Sequence, residues 1–329
     1  MELPKDIAPD FYVVGAAKAG TTALYNWLRG HSDVFFPTVK EPGYFAYLDR
    51  PAAPARGPYD PHYVSKITTD SAAYASLYVD ANGRLSGDAS PVYLIDKNAA
   101  SRIAAARADA KIIAILRDPV DRAFSQFLHH VRDCLEPCRT FKDALDAECS
   151  RMSNGWSWGH GYSSQGHYAP QIQRYLTAFQ RSQILFLEFE SLQLEPENCW
   201  RRICEHLDLK YRPMLENERV NETSSISTVC NRPRITRALR HPGLIQAMTK
   251  IIIPASLRKH LRQMLEGKGR AVPKLTHEIR NELASRYHHE RRRIEMQTGL
   301  ELEHWTSVRS LYENRKLASS KDMLDHTWL

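Results

Sequence analysis

The segment from Phe11 to Leu28 constrains the chain most. Phe11, Tyr12, Val13 and Val14 are a short apolar, β-favouring run that stops at Gly15. Ala16, Ala17, Lys18, Ala19, Gly20, Thr21 and Thr22 follow, and then Ala23, Leu24, Trp27 and Leu28 recur at helical spacing. Strand, small-residue turn and helix start, in that order, gather backbone N–H groups and the positive end of a helix dipole around one anion. Gly15 and Gly20 let the backbone approach that anion closely, Thr21 and Thr22 add hydroxyl donors, and Lys18 supplies a point charge. The layout predicts an α/β chain: a P-loop-like three-layer fold with a central parallel sheet flanked by helices.

The spacing from Gly15 to Gly20 is that of the nucleotide loop G-x-x-x-x-G-K-[ST], but the lysine is displaced. Thr21 stands where an ATPase has lysine, and the lysine sits inside the loop at position 18. A nucleoside triphosphate also needs Mg²⁺ held by an acid at a second strand end. A sulfuryl group on a phosphate carries less charge, so a lysine and a helix N-terminus suffice for it without metal.

A second element lies about a hundred residues on. Lys111 to Leu116 reads as a buried strand ending in Arg117, Asp118 and Pro119, with a helix through Arg122, Phe124, Ser125, Phe127 and Leu128. Pro119 favours the first turn of that helix. Arg117 leaves the strand at its carboxyl end, where α/β sheets bind ligands. Ser125 falls on the second turn, so arginine and serine converge on a second phosphate. A strand built for Mg²⁺ would end in an acid; this one ends in arginine.

These segments resemble the sulfotransferases that use 3′-phosphoadenosine 5′-phosphosulfate (PAPS). Residues 15–22 are similar to that family's 5′-phosphosulfate loop. Residues 117–125 are similar to its 3′-phosphate element, with Arg117 and Ser125 in the binding positions. Between them, Lys40-Glu41-Pro42-Gly43-Tyr44-Phe45 and Gly87-Asp88-Ala89-Ser90-Pro91-Val92-Tyr93-Leu94 match two further family blocks. All four are nearest the bacterial and heparan sulfate-type carbohydrate branch. The resemblance implies a single sulfotransferase domain over residues 1–329, ending in a helical part at about 232–314. It implies PAPS as co-substrate, adenosine 3′,5′-bisphosphate as product and no metal. Lys18, Ala19, Gly20, Thr21, Thr22, Arg117 and Ser125 would hold the nucleotide, with Tyr168 beside it in a Gly-x-Tyr block.

Within that resemblance Lys18 is expected to neutralise the leaving phosphate, and Glu41 matches the glutamate that serves as general base. Asp88 is a reserve candidate, and Ala89 stands where the heparan-type enzymes often carry a lysine. His129 and His130 also enter, although histidines on a helix face more often serve structure. Asn221-Glu222-Thr223 is similar to a stretch that leads to a loop over the nucleotide.

The rest of the chain limits the alternatives. A formal net charge of +7 suits anionic ligands but is too weak to demand nucleic acid. No early segment has the pattern of a signal peptide, and the apolar run around Ile251 is too short to cross a bilayer, so a cytoplasmic placement is expected. Six cysteines without CxxC spacing read as free thiols, with Cys134 and Cys138 the one close pair. Residues 62–80 and 96–107 are expected helical, as is one capping helix from Leu275 to Trp305. The Pro-rich stretch 51–61 and the Gly/aromatic stretch 154–162 are loops whose tyrosines and tryptophans can line an acceptor cleft. Residues 232–270 are basic and amphipathic, a pattern that fits an anionic glycan, peripheral membrane contact or a solvated helix face. Two readings of another class stay open. A small-molecule kinase would use the same loop geometry, and a non-catalytic nucleotide- or glycan-binding protein would account for the basic segment without Glu41. The acceptor, a glycan or a small molecule, is not specified.

Overall fold

The computed structural model describes residues 8–48, 50–214 and 271–305. Five parallel strands form the central sheet: β1 (Phe11–Gly15), β2 (Val34–Phe35), β3 (Leu85–Asp88), β4 (Lys111–Leu116) and β5 (Ile184–Glu188). Their order is β2-β3-β1-β4-β5, and helices flank the sheet. β1 lies in the middle, pairing with β3 through Phe11–Gly87 and Tyr12–Asp88. On its other side it pairs with β4 from Phe11–Lys111 to Gly15–Ala114, the register shifting between Val13 and Gly15. Every residue of β1 is buried, as expected for a strand covered on both faces.

The order places a switch point at the carboxyl end of β1. After β1 the chain runs to β2 and β3 on one side; after β3 it crosses to β4 and β5 on the other. A crevice opens where neighbouring connections diverge, and ligands of open α/β sheets bind there. The two elements singled out above, after β1 and after β4, therefore meet at one place.

Most expected elements are present, with three differences. Residues 62–80 form not one helix but the short helices Pro61–Val64 and Ser71–Ser76 and a 3₁₀ turn, Val79–Ala81. Asp60 and Asp70 cap the two helices by accepting from His62 and Ala73 N–H, so each acid starts its own helix. The expected capping helix is broken into His277–Tyr287 and Arg291–Thr298, the second closed by Gly299 in the left-handed region. β3, too polar to show as a strand by pattern, is built from Leu85-Ser86-Gly87-Asp88; a Cβ on Gly87 would lie 2.3 Å from the Phe11 ring, so only glycine lets β1 and β3 pack.

The C-terminal part closes the core. Ile279, Leu283 and Tyr287 pack with Val120, Phe127 and Phe141 in a second apolar cluster, while Ile294, Leu302 and Trp305 join the main one. Cys134, Cys138, Cys149, Cys199 and Cys204 are free thiols, as expected. Cys230, the Asn221–Thr223 stretch and the basic segment 232–270 lie outside the described residues.

Candidate active site

The loop after β1 is shaped by backbone, not by side-chain caps. Gly15 sits at φ +139°, and a Cβ there would come within 2.9 Å of Leu94 Cβ and the Pro91 carbonyl oxygen. Gly20 precedes the Thr21–Arg29 helix at φ +90° with no side chain capping the helix start. That uncapped N-terminus faces the crevice, where an anion can take the place of a cap. Lys18 also lies in the left-handed region, at φ 67°, which is uncommon for a residue with a Cβ. The Ala19 N–H donates to the Ala16 carbonyl at 3.2 Å and closes the turn on itself. Ala19 is fully buried, so it shapes the loop from within.

Arg117 ties the second element to the first. At the end of β4 its Nη1–H donates to the Lys18 carbonyl at 2.9 Å, and its guanidinium lies over the Phe189 ring at 4.5 Å. Its Nε is buried without a hydrogen-bond partner. A buried charged donor with no acceptor is costly, and a bound anion would relieve it. Asp118, the next residue, caps the Pro119–Arg132 helix, its Oδ1 accepting from Val120 and Asp121 N–H. Tyr168 is fully buried and does not line the cleft; its hydroxyl donates to the Arg117 carbonyl at 3.0 Å. Tyr168 therefore meets the cleft only through Arg117.

These residues open onto a cleft of about 760 Å³. Lys18, Gly20, Thr21, Thr22, Glu41, Arg117 and Ser125 all line it, so the structure brings the expected base and the expected donor residues other than Ala19 and Tyr168 to one cavity. Burial, reinforced by the neighbouring Arg132 and Arg117 charges, pulls the Lys18 ammonium down to about 8. It is mainly charged at neutral pH and poorly solvated, which strengthens its pull on an anion.

Glu41 reaches the cleft from a tightly held turn. It lies at φ 62°, and Gly43 two residues on donates its N–H to Ser90 Oγ at 3.1 Å. Ser90 donates in turn to Asp88 at 2.6 Å, and the Tyr74 and Tyr93 hydroxyls each donate to the same carboxylate at 2.7 Å. Asp88 is wholly buried, and burial pushes its carboxyl up to about 6 despite those three donors. It does not line the cleft, so the reserve base is instead the anchor of the Glu41 turn. Lys40 links the two sides: its Nζ donates to Thr22 Oγ1 at 2.8 Å and lies 3.2 Å from the Glu41 carboxylate.

The two histidines differ. His130 Nδ1–H donates to the Tyr162 hydroxyl at 2.9 Å, Tyr162 donates to Glu136 at 2.6 Å, and Gln126 donates to His130 Nε2 at 2.9 Å. Arg151 completes this buried network with two bonds to Glu136, at 2.8 and 2.9 Å. His130 is a structural part. His129 is half-buried in the cleft, 3.5 Å from Asp133, and burial together with the Lys18 charge holds its imidazole near 4, hence neutral. Its signal was in the sequence: Ser125, His129 and Asp133 recur every four residues and share one helix face.

Among the described residues, Glu188, Glu190 and His304 could each offer a ligand atom within 4.8 Å of the others, at the end of β5. His304 Nε2 already sits 2.9 Å from Glu188, and none of the three lines the cleft.

With this geometry in view, the comparisons are direct. The model of the sulfotransferase family matches residues 9–213, from the strand before the loop to beyond the last helix of the sheet. The chain belongs to the sulfotransferase family. It is 26% identical over 205 residues to heparan sulfate glucosamine 3-O-sulfotransferase 3B1 of Mus musculus, covering 61% of this chain and 46% of that one. It is 33% identical over 119 residues to the membrane-associated sulfotransferase kil1 of Dictyostelium discoideum, covering 36% of this chain and 22% of that one. The chain thus spans less than half the length of these curated relatives. A solved sulfotransferase from Alicyclobacillus acidocaldarius superposes with a TM-score of 0.68 at 28% identity, over 90% of this chain and 98% of that one. The carbohydrate branch and the α/β fold expected of the sulfotransferase are met. None of its described helices is long and apolar enough to cross a membrane.

Proposed function

We propose that this sulfotransferase moves the sulfuryl group of PAPS to a hydroxyl of a glycan or small-molecule acceptor. One observation carries the reading: Arg117, from the end of β4, donates to the Lys18 backbone carbonyl after β1, and both residues line one cleft with Glu41. The orphan Nε of Arg117 and the uncapped helix start at Gly20 both fit an anionic donor. PAPS supplies the sulfuryl group; the chain supplies everything else. Thr21, Thr22 and the Gly20 helix start hold the 5′-phosphosulfate, and Arg117 with Ser125 holds the 3′-phosphate. Glu41 removes the acceptor proton as the new O–S bond forms, because an alcohol is too weak an acid to lose it beforehand. The electron pair of the old S–O bond leaves on the phosphate oxygen, where Lys18 offsets the new charge. His129, neutral and in the same cleft, is the next proton acceptor to test.

No step calls on a metal. Asp118, the nearest acid after β4, is engaged as a helix cap, which disfavours the kinase reading. Calorimetry with adenosine 3′,5′-bisphosphate against 5′-AMP tests the proposal; equal affinity would reject it. Transfer from labelled PAPS should survive EDTA, and a strict Mg²⁺ requirement would restore the kinase.

A further inference from the structure

A second group of chemistry-bearing side chains lies outside the cleft, where β5 ends. Glu188 is the last residue of β5, Glu190 follows it in the short helix Phe189–Leu194, and His304 reaches the same place from the segment after Gly299. One ligand atom from each lies within 4.8 Å of the other two. The Glu188 side chain is only 4% exposed, and its Oε1, which faces His304, has no hydrogen-bond partner. Glu190 Oε2 is likewise buried without one. His304 Nε2 comes within 2.9 Å of Glu188 Oε1, and still the two do not form a hydrogen bond.

Two carboxylates that face one another without donors repel, and burial removes the water that would screen them. A protonated His304 would answer one of them and leave the other uncompensated. Arg117, whose charge reaches Glu190, gives its Nη1–H to the Lys18 carbonyl, and among the described residues no lysine or arginine forms an ion pair with either acid. A divalent cation answers both acids at once. Ligands held about 2.0–2.2 Å from one ion stand about 3–3.5 Å apart, close to the spacing of His304 and Glu188. Two carboxylates and an imidazole suit zinc, whereas Mg²⁺ and Ca²⁺ favour oxygen ligands alone. His304 is the exposed member of the three, so an ion can enter from solvent on its side.

We infer that Glu188, Glu190 and His304 hold one zinc ion, which fastens the C-terminal segment to the end of the sheet. None of the three lines the cleft, so the ion holds structure and takes no part in sulfuryl transfer. Beside His304, Trp305 is buried with its ring 6.0 Å from that of Tyr168, whose hydroxyl holds the Arg117 carbonyl. The ion thus secures the segment that backs the end of β4. The full chain, stripped with EDTA and dialysed, is to be titrated with ZnCl₂ by calorimetry and then melted with and without the ion. One equivalent should bind with a Kd of about 1 μM or tighter. At a hundredfold excess over Kd, Tm should rise by about 3–4 °C. MgCl₂ at the same concentrations should do neither. His304→Ala removes the exposed ligand and spares the core; it should weaken zinc more than about a hundredfold, beyond what loss of a supporting group costs, and abolish the rise in Tm. Glu188→Gln, which keeps the buried shape, should do the same, and if it fails to fold His304→Ala alone decides. No stoichiometric zinc binding, an equal response to Mg²⁺, or zinc held undiminished by His304→Ala, as at other histidines or thiols, would each overturn the site.

Discussion

The two ends of the cleft are made by different means. The donor end is made of backbone and strand ends: a left-handed Lys18, an uncapped helix start, and Arg117 fastened to the Lys18 carbonyl. Its parts hang from adjacent central strands, β1 and β4, whose pairing spans four register positions. The far end is made of side chains on loops, fastened by Trp158–Tyr47 and by Trp156 against Gly57. Backbone geometry fixed by a buried sheet changes little with surface sequence, whereas loop side chains are exchanged easily. The contrast accounts for a chain that can keep one donor while its acceptor is set elsewhere. It also makes a mutational separation possible: donor-end changes should move donor affinity, and changes at Glu41 should not.

The largest expected effect tests that separation directly. Glu41→Gln keeps the shape and a hydrogen-bonding amide but removes the base. Turnover should fall roughly 10²–10⁴-fold while donor affinity by calorimetry stays nearly constant. Lys18→Ala should lower both. Turnover of Glu41→Gln within about threefold of wild type would transfer the base role to His129. Asp88 would not inherit it, being sealed under Tyr74 and Tyr93.

Arg117→Ala comes next. Losing a charge-assisted contact to the 3′-phosphate should weaken adenosine 3′,5′-bisphosphate binding by about 1.5–3 kcal/mol. The affinity for 5′-AMP, which lacks that phosphate, should barely change. A loss equal for both ligands would mean that Arg117 acts only by holding the Lys18 loop.

How far these roles were legible in the sequence follows the same division. The meeting of two elements at one cleft was legible because each is contiguous, Gly15 to Thr22 and Arg117 to Ser125, and strand–turn–helix order predicts their placement. The place of Asp88 is hidden in the sequence because a buried carboxylate and an exposed one look alike there. Its three hydroxyl partners, at 74, 90 and 93, come from a helix, a turn and a second helix. That the Tyr168 hydroxyl reaches the Arg117 carbonyl is a tertiary fact that no spacing shows. The far wall was readable only as two separate loops; that Gly57 admits Trp156 is a tertiary fact. β3 escaped because its Ser-Gly-Asp run follows from packing against Phe11, which overrides strand propensity.

pH offers a subtler probe of the donor end. The Lys18 ammonium, lowered to about 8 by burial, loses its charge as pH rises through that value. The charged form is the useful one, so kcat/KM for the donor should be flat below about pH 8 and fall about tenfold per unit above it. In the bound state the donor's negative charge favours the ammonium, so the corresponding limb in kcat should lie at higher pH. Lys18→Arg should remove the alkaline limb altogether, since a guanidinium stays charged throughout. An unchanged limb in that variant would assign it to another group.

The smallest effect concerns the link between the donor loop and the Glu41 turn. Lys40 touches Thr22 of the donor loop and Glu41 of the opposing turn, and about a quarter of each side chain of the Lys40–Glu41 pair is exposed. An ion pair so open to water is worth little on its own, about 0.2–1 kcal/mol, because solvent screens it and the side chains lose freedom in forming it. Lys40→Met should therefore leave thermal stability nearly unchanged. Its consequence should appear as coupling instead. With Lys40 present, a donor that takes the Thr22 hydroxyl also displaces the lysine's partner and alters the surroundings of the Glu41 carboxylate. A double-mutant cycle of Lys40→Met and Glu41→Gln, read in kcat, measures this link, and a coupling of about 0.5 kcal/mol or more is expected between residues in contact. Strict additivity would show that the donor loop and the Glu41 turn act independently, with the 2.8 Å Lys40–Thr22 bond serving only to pack the loop.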